Sequence, residues 1–125
     1  MKCLLVDDSK TMRTIQKKVL SALPSWEFAE AGDGVEALSV IGSTPGGFNL
    51  IIIDWNMPNM DGITLINKIR EKDKITLLMM ATTEAEKSRV LEAIRAGVNN
   101  YVVKPFTPEA LLEKVSQTLA KAKAA

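Results

Sequence analysis

A chain of 125 residues with 16 basic and 15 acidic side chains, one cysteine and no histidine has the length of one domain, roughly 14 Å in radius of gyration. Without imidazole, Ser-His-Asp and Cys-His nucleophile systems and histidine-zinc sites are excluded, so any chemistry falls to carboxylates, hydroxyls, lysines or the single thiol. A net charge of +1 gives no surface-wide attraction to nucleic acid or to membranes, and neither is expected as a partner.

Cys3-Leu4-Leu5-Val6 is the first of five short apolar runs and predicts strand one, with Cys3 a buried, unpaired thiol of a reducing compartment. The run follows Met1-Lys2 directly and ends in Asp7-Asp8, without a signal-peptide pattern or a membrane span, which implies a cytoplasmic location. Met12, Ile15, Val19 and Leu23 then recur at helical spacing as one face of helix one. Residues 26–29 predict strand two. Asp33-Gly34-Val35-Glu36 has the form of a capping box opening helix two. Leu50–Ile53 is apolar throughout, as a central strand covered on both faces must be. Asp61-Gly62 opens helix three, with Ile63, Ile66 and Ile69 inward. Residues 75–80 predict strand four; Thr83 and Glu86 cap helix four, whose apolar stripe is Val90, Leu91 and Ile94 and which stops at Gly97. Residues 101–103 predict strand five. Thr107-Pro108 opens helix five, with Leu111, Leu112, Val115 and Leu119 inward. Residues 121–125 read as a frayed tail, so 1–125 is expected to be a single domain with no effector domain.

Strands that alternate with crossover helices lie parallel, which makes this a doubly wound α/β sheet with its ligand-binding rim at the C-terminal strand ends. Asp7 and Asp8 follow strand one, Asp54 follows strand three, Thr82 strand four and Lys104 strand five. Three gathered carboxylates repel by about 4 kcal/mol per close pair at an effective dielectric near 20. Lys104 supplies one compensating charge, and a hard divalent cation such as Mg²⁺ is the natural remainder. Taken singly, Asp7-Asp8 is a solvated strand end, Thr82 a helix cap, Lys104 an exposed cation and Tyr101 a strand-edge tyrosine. Asp54 resists that treatment, because a charge directly after Ile51-Ile52-Ile53 borders the most buried strand and needs a partner. A flavodoxin-like nucleotide binder would need a phosphate-cradling loop where Asp7-Asp8 repels phosphate.

Asp7-Asp8, Ile53-Asp54-Trp55-Asn56-Met57-Pro58 with Asp61-Gly62, Ala81-Thr82, and Tyr101-Val102-Val103-Lys104-Pro105-Phe106-Thr107 together resemble the response-regulator receiver domains, and among them the single-domain chemotaxis regulators. The resemblance covers essentially the whole chain. It implies a flavodoxin-like sheet of order 2-1-3-4-5 with five helices, in a two-component signalling protein that is no enzyme beyond its own phosphorylation and dephosphorylation. Asp54 would accept a phosphoryl group from a CheA-like histidine kinase. Asp8, Asp54 and the backbone carbonyl of Asn56 would bind Mg²⁺ directly, and Asp7 through water. Lys104 would pair with Asp54 and afterwards with a phosphoryl oxygen, while the Trp55 N–H and the Thr82 hydroxyl complete the oxygen shell. Thr82 and Tyr101 would switch the face of helix four, strand five and helix five toward a flagellar motor switch protein or a phosphatase, with the chain a monomer. The other role such a chain would fill is a relay intermediate or phosphate sink outside chemotaxis. The Lys104-Pro105 bond is expected to be cis. Trp55 is expected to be partly exposed beside the metal, Trp26 to pack in strand two or cover an edge, and Met57 and Met60 to form a patch facing a partner. Thr83 stands where the family frequently has alanine or glycine and narrows access to the phosphoryl group.

Overall fold

Among the described residues of the computed structural model, 1–83 and 87–124, five strands alternate with five helices. In chain order they are β1 (Lys2–Val6), α1 (Lys10–Leu20), β2 (Glu27–Ala31), α2 (Gly34–Ser43), β3 (Leu50–Ile53), α3 (Gly62–Lys72), β4 (Leu77–Thr82), α4 (Lys87–Ala96), β5 (Asn100–Val103) and α5 (Pro108–Ala124). Every strand pair is parallel, and the order is β2-β1-β3-β4-β5, as the resemblance implies. None of the described helices is long and apolar enough to cross a membrane.

Alternation along the central strands divides the core into two layers. Leu4, Val6, Ile51, Ile53, Leu78 and Met80 meet Ala37 of α2, Leu65, Ile66 and Ile69 of α3 and Ala93 of α4. Cys3, Leu5, Leu50, Ile52, Met79 and Ala81 meet Leu20 of α1 and Leu111 and Val115 of α5. Each fully buried leucine or isoleucine contributes roughly 1.5–3 kcal/mol, so β3, buried at all four positions, is the anchor of the sheet. Cys3 is buried and burial pushes its thiol up to about 12, which leaves it a small hydrophobe.

Four helices start on a side-chain cap at the C-terminal rim. The Met12 N–H donates to Ser9 Oγ at 3.1 Å, Glu36 N–H to Asp33 Oδ1 at 2.8 Å, Thr64 N–H to Asp61 Oδ1 at 2.8 Å, and Ala110 N–H to Thr107 Oγ1 at 3.1 Å. Each cap is worth about 1 kcal/mol. The expected Thr83–Glu86 cap lies in part outside the described residues. Gly97 ends α4 at a φ of 117°, and Arg70 of α3 binds its carbonyl through Nε at 3.0 Å and Nη2 at 2.9 Å.

Several expected faces are turned. On α1, Ile15 is exposed and Gln16 is buried in its place; Leu20 is buried and Val19 and Leu23, expected inward, pack on the core, Leu23 from beyond the helix end. On α4, Leu91 and Ile94 are exposed and Ala93 is buried, because the helix approaches the sheet through its small residues. Strand two begins after Trp26, which packs against the α1/α5 layer. Strand four begins only at Leu77. Asp73 Oδ1 accepts the Ile75 and Thr76 N–H groups at 2.9 and 3.0 Å, and this turn leaves Ile75 91 % exposed.

Gln16 Oε1 is buried without a hydrogen-bond partner among the described residues. An unsatisfied buried carbonyl costs roughly 1–3 kcal/mol. Gln16→Leu is therefore expected to raise the unfolding free energy by about 1 kcal/mol in urea denaturation; an unchanged or lower midpoint would show that the carbonyl is satisfied in solution.

Candidate functional site

The register of β1 with β3 sets Val6 beside Ile53. Asp7 and Asp54 therefore leave the sheet as neighbours, one interstrand spacing of about 4.8 Å apart. Between β1 and β3 the chain also changes the direction in which it adds strands, the switch point where doubly wound sheets open a crevice. Asp8 joins them, and the three carboxylates each bring an oxygen within 4.8 Å of the others.

Their surroundings differ. Asp7 is 1 % exposed: its N–H donates to the Ala31 carbonyl at 3.1 Å, Oδ1 accepts the Ser9 N–H at 2.9 Å, and Oδ2 accepts Lys104 Nζ at 2.6 Å. Asp54 is 8 % exposed, its N–H donates to the Val6 carbonyl at 2.9 Å, and Lys104 Nζ stands 3.4 Å from its Oδ1. Asp8 is exposed. Lys104 was expected on Asp54, yet its nearer contact is Asp7, the more deeply buried of the two acids. The lysine reaches inward from the end of β5, where its N–H donates to the Thr82 carbonyl at 2.8 Å and the bond to Pro105 is cis. Thr82 is fully buried, Tyr101 half-buried against the α2–α4 layer, and Asn56 exposed.

One expectation for the loop after β3 fails. Trp55 is not partly exposed but 5 % exposed, because its indole packs into the α2–α4 layer and the Arg89 guanidinium lies 5.3 Å from the ring centroid. Met57 and Met60, expected as a partner-facing patch, are partly buried and pack against the same layer; Met60 fills the space above Gly34, where a Cβ would come within 2.8 Å of it. The loop is closed by Asn59, whose Nδ2 donates to Asp33 Oδ2 at 2.8 Å. Gly62 is required here: a Cβ would stand 2.4 Å from the Asp54 carbonyl oxygen.

Burial pushes the Asp54 carboxyl up to about 6; Lys104 opposes the rise and the charges of Asp7 and Asp8 add to it. Three carboxylates against one ammonium form an all-oxygen, anionic donor set, which fits a hard divalent cation better than a soft one. Outside the expected residues, Arg13 of α1 also enters the site, with Nη1 on the Asp7 carbonyl and Nε on Glu30 Oε1. The available signal was its position: α1 carries no acid in its first turn, and an arginine one turn into a helix runs against the helix dipole.

Comparison with known proteins gives a consistent result. The response regulator receiver domain family matches residues 3–116. The chain is 46 % identical over 121 residues to a chemotaxis protein CheY homologue of Campylobacter jejuni, covering 95 % of this chain and 92 % of that protein. It is 45 % identical over 119 residues to chemotaxis protein CheY of Pseudomonas aeruginosa, covering 94 % of each. Among solved structures, the chemotaxis response regulator CheY4 of Vibrio cholerae superposes with a TM-score of 0.85 at 34 % identity, over 94 % of this chain and 97 % of that one.

The folded pKa of Asp54 lies above its ordinary value of 3.8, so the folded state binds this proton more tightly than the unfolded chain. Stability from the group is complete below about pH 4 and is lost as pH rises through about 6. Without metal, Asp54→Asn is expected to gain stability over the wild type between these limits, reaching on the order of 2 kcal/mol at pH 7. Urea denaturation across pH 4–7 in the presence of a chelator measures it, and a difference independent of pH would contradict the assignment.

Proposed function

This chain belongs to the response regulator receiver domain family, and from that premise we propose that Asp54 accepts a phosphoryl group from a partner's phosphohistidine and that the α4–β5–α5 face reports the change. The observation that carries the reading is Asp54 itself, a nearly buried carboxylate clustered with two others and with an ammonium 3.4 Å away. At neutral pH, above its pKa of about 6, Asp54 is ionised and nucleophilic. One of its oxygens attacks phosphorus as the P–N bond breaks; the electron pair stays with the donor imidazole, which takes up a proton. The imidazole belongs to another protein, since this chain has no histidine.

Asp8, Asp54 and the carbonyl of Asn56 are the groups that would hold Mg²⁺ directly. Asp7, with one oxygen on Ser9 and the other on Lys104, is suited to a contact through water. When bound, the ion offsets negative charge on the attacking and transferring oxygens. Lys104, already beside Asp54, follows that charge onto a phosphoryl oxygen, and the Trp55 N–H and Thr82 hydroxyl donate to the remaining ones.

A phosphoryl group adds about 1.5–2 negative charges at this rim. Moving a two-state equilibrium from 1:99 to 99:1 needs about 5.5 kcal/mol, within the scale of a few charge-assisted hydrogen bonds plus a repacked Tyr101. Supporting an output face, Val90, Ile94, Tyr101, Val103, Phe106 and Lys114 line a groove of about 720 Å³. The exposed Leu91 lies on the same helix. The chemotaxis relatives support a histidine kinase as donor and a flagellar motor switch protein as target; no observation favours a phosphate sink.

Incubation with acetyl phosphate and Mg²⁺ is expected to add one phosphoryl mass to the intact protein and none to Asp54→Asn; an unmodified wild type would sink the reading. Tyr101→Ala is expected to phosphorylate normally but to bind the output partner at least tenfold more weakly, read by titration of the phosphorylated protein.

A further inference from the structure

Asp7 is tied at its N–H and at both carboxylate oxygens, but no hydrogen bond to the Asp8 carboxylate occurs among the described residues. The direction of Asp8 is therefore set by the peptide that joins it to Asp7. The carbonyl of that peptide accepts Arg13 Nη1 at 2.5 Å. Arg13 is held in turn by Glu30 of β2, with Nε 3.0 Å from Oε1, and the side chains are 15 % and 34 % exposed. Lys17 stands 3.8 Å from the other Glu30 oxygen.

From this arrangement we propose that Arg13 and Glu30 are a positioning pair for the cation site: Arg13 fixes the Asp7–Asp8 peptide and so aims Asp8, while Glu30 keeps the guanidinium from turning onto the carboxylates. The inference rests on the receiver reading above. A loose guanidinium beside three carboxylates gains by pairing with them and would compete with the cation. Bonded to Glu30 and to a neutral carbonyl, it leaves their charge for the metal and Lys104. Groups that orient metal ligands without touching the metal typically change affinity ten- to a hundredfold when removed.

The proposal and simple electrostatics predict opposite signs. Removing a positive charge near a cation site strengthens binding if charge alone matters, whereas losing the peptide anchor weakens it. Calorimetric titration of the whole chain with MgCl₂, on variants shown to be folded by circular dichroism, separates the two. Arg13→Gln and Arg13→Lys are both expected to bind Mg²⁺ roughly tenfold more weakly than wild type. Glu30→Gln is expected to weaken binding when Arg13 is present and to have no further effect in the Arg13→Gln background. A purely structural role would lower the unfolding midpoint and leave the dissociation constant unchanged. Tighter binding by Arg13→Gln, or wild-type affinity in Arg13→Lys, overturns the proposal; should Arg13→Gln fail to fold, Arg13→Lys alone decides it. A wild type that binds no Mg²⁺ overturns the receiver reading of the site, and this inference with it.

Discussion

Because Val6 pairs with Ile53 in a parallel register, Asp7 and Asp54 cannot separate without breaking the centre of the sheet. Like charges are thereby held at close range by hydrophobic burial on both faces of β1 and β3, at a cost of about 4 kcal/mol per close pair at intermediate dielectric. The remaining features of the rim answer that repulsion. Lys104 crosses from β5 to lie within reach of both buried acids, and Asp54 meets part of the cost by holding its proton more tightly than a free carboxylate. What the protein leaves uncompensated is net negative charge at the Asp7, Asp8 and Asp54 cluster.

The two cations at the rim are placed for different work. Lys104 has its ammonium on carboxylate oxygens. Arg13 also reaches the rim, but its guanidinium meets a main-chain carbonyl and an acid from outside the cluster. The backbone around them leaves little slack. Gly62 brings the start of α3 against the Asp54 carbonyl, where even a methyl group would collide. Arg89 on α4 lies over that indole, and Arg70 fixes the far end of α4. α4 therefore touches Trp55, next to Asp54, at one end and is restrained at the other.

How much was legible in the sequence depended on whether a residue's environment was set by its strand or by its packing partners. β3 was readable to the residue because a run apolar at every position fits only a strand covered on both faces. The rim residues Asp7, Asp8, Asp54 and Lys104 followed, since each stands directly after a strand. Helix faces were harder. Periodicity locates an amphipathic helix but not its rotation: α1 buries Gln16 in place of Ile15, and α4 faces the sheet with Ala93, leaving Leu91 and Ile94 to solvent. Trp55 was misjudged for a related reason, because the guanidinium that covers it comes from α4, over thirty residues away. Arg13 was missed because it acts through a backbone carbonyl, a partner that no side-chain motif records.

Cys3 lies in the second position of β1, between β2 and β3, with its thiol sealed in the α1/α5 layer. An alkylating reagent can reach that sulfur only after β1 parts from its neighbours, and the thiolate it needs is further suppressed by burial. The single thiol is thus a clock on the opening of the strand that carries Asp7 and Asp8. A cation that draws those acids together slows the clock without touching the sulfur.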